Sequence, residues 1–337
     1  MTRLRVGVVG AGAWGRNHVR TVAGHQAAEL AGVCEADPAV RERLKREYPG
    51  VRVTESVEEL LGVVEAVIVA TPARTHAPIA EQTIAAGIPT LVEKPFALTV
   101  ADAERMALAA SRGGVPLLVG HLLEYHPVVE RLRLLITEGT LGEVYYLYSQ
   151  RVNLGQVRPD ENALWSFGPH DISVALYLLG EMPVRVAAQG SSFLQPGIED
   201  VVFLTMTFRS GTVAHAQMSW LDPHKERRFT VVGSRQMAVF DDMAPREKLR
   251  IYDKGIDRPP EYRSFGESLA IREGDIFIPR VSNVEPLTLQ FGHFVRVVRG
   301  EEVARSDAAD GVRVVRVLEA ATRSLSQDGS PVLVEGP

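Results

Sequence analysis

The sequence has one cysteine in 337 residues, Cys34. No internal disulfide can form, and no thiolate cluster is there to hold zinc or an iron–sulfur centre. Cys34 sits in an apolar run over residues 30–34, where a small buried thiol belongs. Positive charge is not in excess either. Lysine and arginine number 37 against 42 acidic residues, and the net charge is −5 without a long basic run. That excludes the electrostatic footprint of a nucleic-acid binder. No apolar stretch reaches the roughly 18 residues of a membrane span. The opening MTRLRVGVVGAGAWG passes from a short apolar run straight into glycines, without the longer apolar core of a secretory leader. The expectation is a cytoplasmic protein with neither membrane nor nucleic acid as partner. His18, His25, His215, His224 and His293 do not combine with acidic residues at a metal-binding spacing, so no catalytic metal is expected.

What the chain does have is an ordinary core composition, 45% hydrophobic and 23% charged, over a length that suits two domains. Up to about residue 122, short β-branched runs (5–9, 30–34, 66–70, 90–92, 116–119) alternate with helical patterns (17–24, 39–47, 75–86, 100–111). This alternation predicts an α/β, doubly wound parallel sheet over 1–122. From 123 to 337 the texture is α+β. Helices are expected over 127–138 and 169–179, each opened by proline and followed by glycine. Strands follow at 143–152, 184–194, 200–209, 212–220, 227–232, 237–241 and 249–253. Short glycine turns at Ser210-Gly211 and Gly233-Ser234 imply antiparallel neighbours in an open sheet. Helices over 286–299 and 307–325 close the chain, and its last residues are expected to pack back on the first domain. Residues 257–278 have weak periodicity and read as an irregular excursion.

Gly10-Ala11-Gly12-Ala13-Trp14-Gly15 matches G-x-G-x-x-G directly after a strand and before a helix. Gly10 permits the tight turn, Gly12 lets the backbone approach a pyrophosphate, and Gly15 lets helix and strand pack closely. Glu35, ending the second strand, is placed to accept hydrogen bonds from the ribose hydroxyls and to repel a 2′-phosphate. NAD is therefore favoured over NADP, although Arg41 lies near enough to leave NADP use open. Asp37, before Pro38, reads as a helix cap.

The segment Leu91-Val92-Glu93-Lys94-Pro95 ends a strand beside the expected nicotinamide position. Together with Ala70-Thr71-Pro72, His76, Gly120-His121, Tyr125-His126-Pro127 and Gly168-Pro169-His170, it resembles the Gfo/Idh/MocA family. The resemblance runs nearly end to end. It implies a Rossmann domain followed by a sheet domain that often builds homodimers or homotetramers. It implies that Lys94 touches the substrate hydroxyl, that Lys94–Pro95 is a cis peptide, and that Thr71, Pro72 and His76 line the cofactor. It also implies that His170 is an acid–base group. Oxidising a secondary alcohol needs a group to take the hydroxyl proton as hydride leaves. Lysine at a buried strand end suits that task, the alternative being an exposed lysine paired with Glu93.

The chain departs from the family at position 166, where many members carry an aspartate paired with the histidine. Ser166 can hydrogen-bond a substrate but holds no charge. Asp171 is expected to stabilise the start of the 169–179 helix. Around the site, Tyr125, His126 and Trp165 offer apolar surface for a sugar ring, and Arg151, Asn153, Arg158 and Asn162 offer hydrogen bonds to hydroxyls or phosphate. An exposed polar loop is the other reading of 151–162. The expected activity is hydride transfer between NAD(H) and a sugar or nucleotide-sugar, for example a UDP-N-acetylhexosamine or its uronate. Two other functions stay open: an NAD-dependent glycosidase using transient oxidation, and a non-catalytic NAD-binding sensor or scaffold.

Overall fold

The computed structural model describes residues 2–155, 157–257 and 270–336. In chain order the elements are β1 (Leu4–Val9), α1 (Gly15–Gly24), β2 (Ala28–Cys34), α2 (Pro38–Glu47), β3 (Arg52–Thr54), α3 (Val57–Leu61), β4 (Ala66–Val69), α4 (His76–Ala85), β5 (Thr90–Val92), α5 (Val100–Gly113) and β6 (Leu117–Val119). Then come α6 (Pro127–Thr137), β7 (Val144–Leu154), α7 (Ala163–Leu179), β8 (Pro183–Ser191), β9 (Val201–Phe208), β10 (Val213–Ser219), β11 (Leu221–Gly233), β12 (Met237–Asp241) and β13 (Leu249–Tyr252). The chain ends with β14 (Gly255–Asp257), β15 (Ala270–Arg272), β16 (Ile276–Phe277), α8 (Pro286–Val298), α9 (Ala308–Leu325) and β17 (Val332–Leu333). The excursion expected over 257–278 lies mostly outside the described residues. No helix among the described residues is long and apolar enough to cross a membrane.

Two compact units emerge, and neither is one continuous piece of chain. The first comprises Met1–Tyr125 with Val284–Arg316, and the second His126–Asn283 with Val317–Pro337. In the first, six parallel strands run in the order β3-β2-β1-β4-β5-β6. Buried on both faces, these strands are continuous apolar runs such as Ala66–Val69, every residue of which is inaccessible. Phe291, Phe294, Val295 and Val297 of α8 join the same core as Val6, Val8, Leu30 and Ile68. The order reverses between β1 and β4, and in such sheets ligands bind outside the carboxyl ends of the strands at this reversal. Residues 52–61 hold a three-residue strand and a five-residue helix, both too short to produce a readable period. Ser56 caps that helix by accepting from the Glu59 amide at 3.3 Å.

The second unit is built on a nine-stranded sheet of order β16-β13-β12-β11-β7-β10-β9-β8-β17. The glycine turns join antiparallel pairs β9–β10 and β11–β12 as the sequence predicts, but β7 and β10 lie side by side in parallel. Sequence order carries no signal for that pairing, because α7, β8 and β9 intervene.

One helix is misplaced by sequence reasoning. The 169–179 helix in fact starts at Ala163, with Asn162 as its cap accepting from the Trp165 amide at 3.1 Å. Pro169 lies inside it, where it deletes one backbone hydrogen bond and costs about 3 kcal/mol. Burial of Leu164, Ile172, Val174, Leu176 and Leu178 offsets that cost. His170 is therefore mid-helix, and Asp171 is too far along to stabilise a helix start.

Candidate active site

The glycine-rich turn leaves β1 at the reversal point. Gly10 has φ +88°, and a Cβ there would lie 2.7 Å from the Ala70 carbonyl oxygen. At Gly15 a Cβ would meet the Gly10 carbonyl oxygen at 2.0 Å, so helix and turn can only close on glycine. Gly12 differs, since a Cβ there would meet nothing within 4 Å. The protein's own packing does not require glycine at that position, which leaves the backbone there open to close approach by a pyrophosphate. Ala13 and Trp14 beside it are exposed. The start of α1 has no side-chain cap and no acidic residue in its first turn, which leaves its amide end to an external anion. These features fit the pyrophosphate of a dinucleotide.

Glu35 follows β2 and turns its carboxylate to the same turn, accepting from the Ala11 amide at 2.6 Å and the Asp37 amide at 3.0 Å. Asp37 caps α2 through the Ala39 and Val40 amides. Arg41, which would favour a 2′-phosphate, is engaged elsewhere: it donates to the carbonyls of Glu35 and Ala36 and pairs with Glu55 at 2.9 Å. Buried Cys34 has its thiol pushed up to about 11 by burial and then by the neighbouring Glu35 charge.

Lys94 directly follows β5, and the Lys94–Pro95 bond is cis. The buried Glu93 carboxylate accepts from three directions: the Trp14 indole at 2.7 Å, His18 Nε2 at 2.8 Å and the Lys94 amide at 3.0 Å. Burial alone raises a carboxylate pKa, but the hydrogen bonds from His18 and Trp14 outweigh it and hold Glu93 below its ordinary value. Gly120 leaves room for this carboxylate, since a Cβ there would come to 3.0 Å from it. Glu93 thus ties Lys94 to the glycine-rich turn from behind. His76 is 1% exposed and sets Nδ1 against the Pro95 carbonyl at 2.8 Å and Nε2 against the Thr71 carbonyl at 2.9 Å. It braces two loops, while Thr71 is half-buried and Pro72 exposed.

In the second unit, Ser166 and His170 stand four residues apart on α7 and share a face. Asp171 is rotated about 100° from His170 and binds Arg151 of β7 through Oδ2 to Nε at 2.8 Å and Oδ1 to Nη2 at 3.2 Å. Arg151 is thereby committed to a buried ion pair. Asn153 is half-buried at the end of β7, Arg158 pairs with Glu161 at 3.0 Å, and the Trp165 indole donates to Thr322 at 3.0 Å. His126 caps α6 by accepting from the Val128 amide, with Nε2 3.6 Å from Asp242. Tyr125, in the first unit, is 2% exposed; its hydroxyl lies 2.9 Å from Ser306 Oγ and its ring sits under the Arg305 guanidinium.

Sequence reasoning missed His18 as a partner of Glu93. Its one signal was a histidine among the buried positions Gly15, Val19 and Val22 of α1. It also missed His121, Glu124 and Asp310, whose ligand atoms lie within 4.8 Å of one another. His121 Nδ1 is already 2.5 Å from Asp310 Oδ2, and Arg313 takes Asp310 Oδ1 at 2.8 Å. The three form a buried acid–histidine group in which His121 Nε2 and Glu124 Oε1 have no hydrogen-bond partner among the described residues.

Residues 4–121 match the family model for the oxidoreductase family with an NAD-binding Rossmann fold, and residues 129–239 match the GFO/IDH/MocA C-terminal domain. The rhizopine catabolism protein MocA of Rhizobium meliloti is 29% identical over 97% of both chains. The UDP-N-acetylglucosamine 3-dehydrogenase of Acidithiobacillus ferrooxidans is 30% identical over 77% of this chain and 80% of its own. Among solved structures, GenD2 from gentamicin A biosynthesis in complex with NAD superposes with a TM-score of 0.82 at 27% identity, covering 100% of this chain and 97% of that one. Glycine turn, acidic strand end and Glu-Lys-Pro segment thus stand in a chain that matches both family domains, and the protein belongs to the GFO/IDH/MocA family of NAD-binding oxidoreductases, as a dehydrogenase.

Proposed function

We propose that the protein oxidises a secondary alcohol carbon of a sugar or nucleotide-sugar, with Lys94 on the reacting hydroxyl and His170 as the acid–base group. The observation that carries this reading is the fixing of Lys94 at a strand end by Glu93, whose other partners come from the glycine-rich turn and its helix. Bound NAD supplies the hydride acceptor at that edge of the sheet. Lys94 orients the substrate oxygen and stabilises negative charge on it as the proton departs. His170 takes that proton. Ser166, on the same helix face, can hydrogen-bond the substrate but cannot share the charge, so His170 works without the carboxylate common in the family. A UDP-N-acetylglucosamine 3-dehydrogenase at 30% identity supports a nucleotide-sugar, and inositol 2-dehydrogenases at 31% and 26% identity support a free polyol, so the substrate panel must hold both classes.

The test is Lys94→Met assayed for NADH formation on a panel of nucleotide-sugars, aldoses and inositol. Turnover is expected to fall by about 10²–10⁴-fold, the range for a lost acid–base or charge-stabilising group. NADH binding, followed by fluorescence, should persist. Unchanged turnover removes Lys94 from the chemistry.

A further inference from the structure

Arg151 of β7 and Arg227 of β11 are directly paired across the antiparallel ladder. Residues so paired project from the same face of the sheet, about 4.5–5.5 Å apart at Cβ. Two guanidinium groups therefore stand side by side on the face that meets Asp171 of α7, whose side chain is rotated about 100° from that of His170. Like charges opposite one another are destabilising unless anions compensate. Two carboxylates are near. Asp171 is taken by both Nε and Nη2 of Arg151. Asp242, whose amide donates to the Arg227 carbonyl, is taken by Lys248 at 2.9 Å. His126 also lies 3.6 Å from Asp242, so Arg227 feels the charge of both carboxylates while hydrogen-bonding neither. Its Nε is shielded from solvent and has no hydrogen-bond partner among the described residues. Burial first, and then the Arg151 charge, lower its pKa.

A shielded, unpaired guanidinium N–H is costly and calls for a partner. Guanidinium geometry selects a planar or tetrahedral oxyanion taken by two parallel N–H groups. We propose that Arg227 anchors an anionic group of the substrate, a carboxylate on the sugar or a phosphate linked to it. The identity of that ligand as the substrate rests on the dehydrogenase reading above. The committed pair Arg151–Asp171 is then the wall that positions the anchor, and Arg227 is the residue that separates charged sugars from neutral polyols.

The test uses thermal unfolding of the NADH-loaded protein with D-glucuronate, UMP or myo-inositol, for wild type, Arg227→Met and Arg227→Lys. Arg227→Gln takes the place of the Met variant if that one does not fold. Without added ligand, Arg227→Met is expected to raise the midpoint by about 2–4 °C, the shift for roughly 1 kcal/mol in a domain of this size. Wild type should be stabilised by at least one anion, glucuronate if the source is a carboxylate and UMP if it is a phosphate. Arg227→Met should lose that stabilisation and Arg227→Lys should keep part of it, with the response to myo-inositol the same in all three. Anion stabilisation equal in wild type and Arg227→Met overturns the proposal, as does no response of wild type to either anion. Loss of the anion and inositol responses together also overturns it, because that marks general damage. NADH formation is followed separately. If no sugar yields NADH with either protein, the dehydrogenase reading fails, while the anion responses still decide the role of Arg227.

Discussion

His18 Nε2 lies 2.8 Å from Glu93 Oε1, with the two side chains 1% and 7% exposed. A buried carboxylate is tolerated only when its lone pairs are filled, and here the filling comes from His18 on the helix after the glycine-rich turn, Trp14 in the turn and the Lys94 amide. Cofactor turn and Lys94 are thereby fastened to one carboxylate.

Removing that fastening has a measurable cost. His18→Ala leaves a buried acceptor on Glu93 unfilled and should destabilise the protein by about 1.5–3 kcal/mol, the range for hydrogen bonds to charged groups. Urea unfolding checks this. The folded pKa of Glu93 is depressed, so its contribution is present above the ordinary value of 4.5 and disappears as the pH falls through the lowered one. The gap between His18→Ala and wild type should narrow on the acid side of that range.

Gly12 and Gly15 should respond to alanine in opposite ways. Gly15→Ala drives a methyl into the Gly10 carbonyl and is expected to lower both stability and NADH affinity. Gly12→Ala meets no protein atom within 4 Å, so its stability should stay within about 0.5 kcal/mol of wild type. Its NADH affinity should fall by at least about tenfold, the equivalent of 1.4 kcal/mol. Unfolding curves and fluorescence titration of the two variants give the comparison. Equal NADH affinity for Gly12→Ala and wild type would place the pyrophosphate elsewhere.

Breaking the Arg151–Asp171 pair from either side strands a buried charge. Arg151→Met or Asp171→Leu should each cost about 3–5 kcal/mol, whereas Arg151→Met combined with Asp171→Leu should recover much of that loss. A double-mutant cycle measured by urea unfolding checks it. Additive losses would mean that the two groups do not depend on one another.

The His121, Glu124 and Asp310 group makes stability depend on pH on the alkaline side. Burial lowers the His121 pKa, but the Asp310 charge and hydrogen bond overcome it and bring it up to about 9 from 6.5. Its stabilisation is complete below 6.5 and is lost as the pH rises through about 9. Burial raises the Glu124 pKa, favouring its neutral form, so it too contributes less as the pH rises. Asp310 runs the other way, its contribution falling off only in acid. Glu124→Gln keeps a neutral group in place, and the drop in urea midpoint between pH 6.5 and 9 should be smaller than in wild type.

Legibility in the sequence followed locality. The glycine turn, the Glu35 strand end and Lys94 before Pro95 were readable because each is a short segment whose residues act together. The parallel sheet was readable because buried strands and amphipathic helices alternate. Asn162 lost to Pro169 as the start of α7 because proline is a common helix opener, and only burial of the whole helix reveals that it is tolerated inside. His18 with Glu93, Arg151 with Asp171, and Arg227 beside Arg151 come from sheet register and helix packing. Those contacts join residues that no local pattern connects, so Arg151 looked like an available ligand and is instead an internal strut.

The motif-bearing stretch and the cooperative unit are different lengths of chain. Phe291, Phe294 and Val295 fill the same core as Val6, Val8 and Ile68, and the first compact unit closes only with residues 284–316. During synthesis from the N-terminus, nearly the whole polypeptide must emerge before the nucleotide-binding half can bury its apolar interior. A fragment ending near residue 122 would carry every recognisable cofactor motif and still present an uncovered greasy wall, the condition that draws chaperones and aggregation.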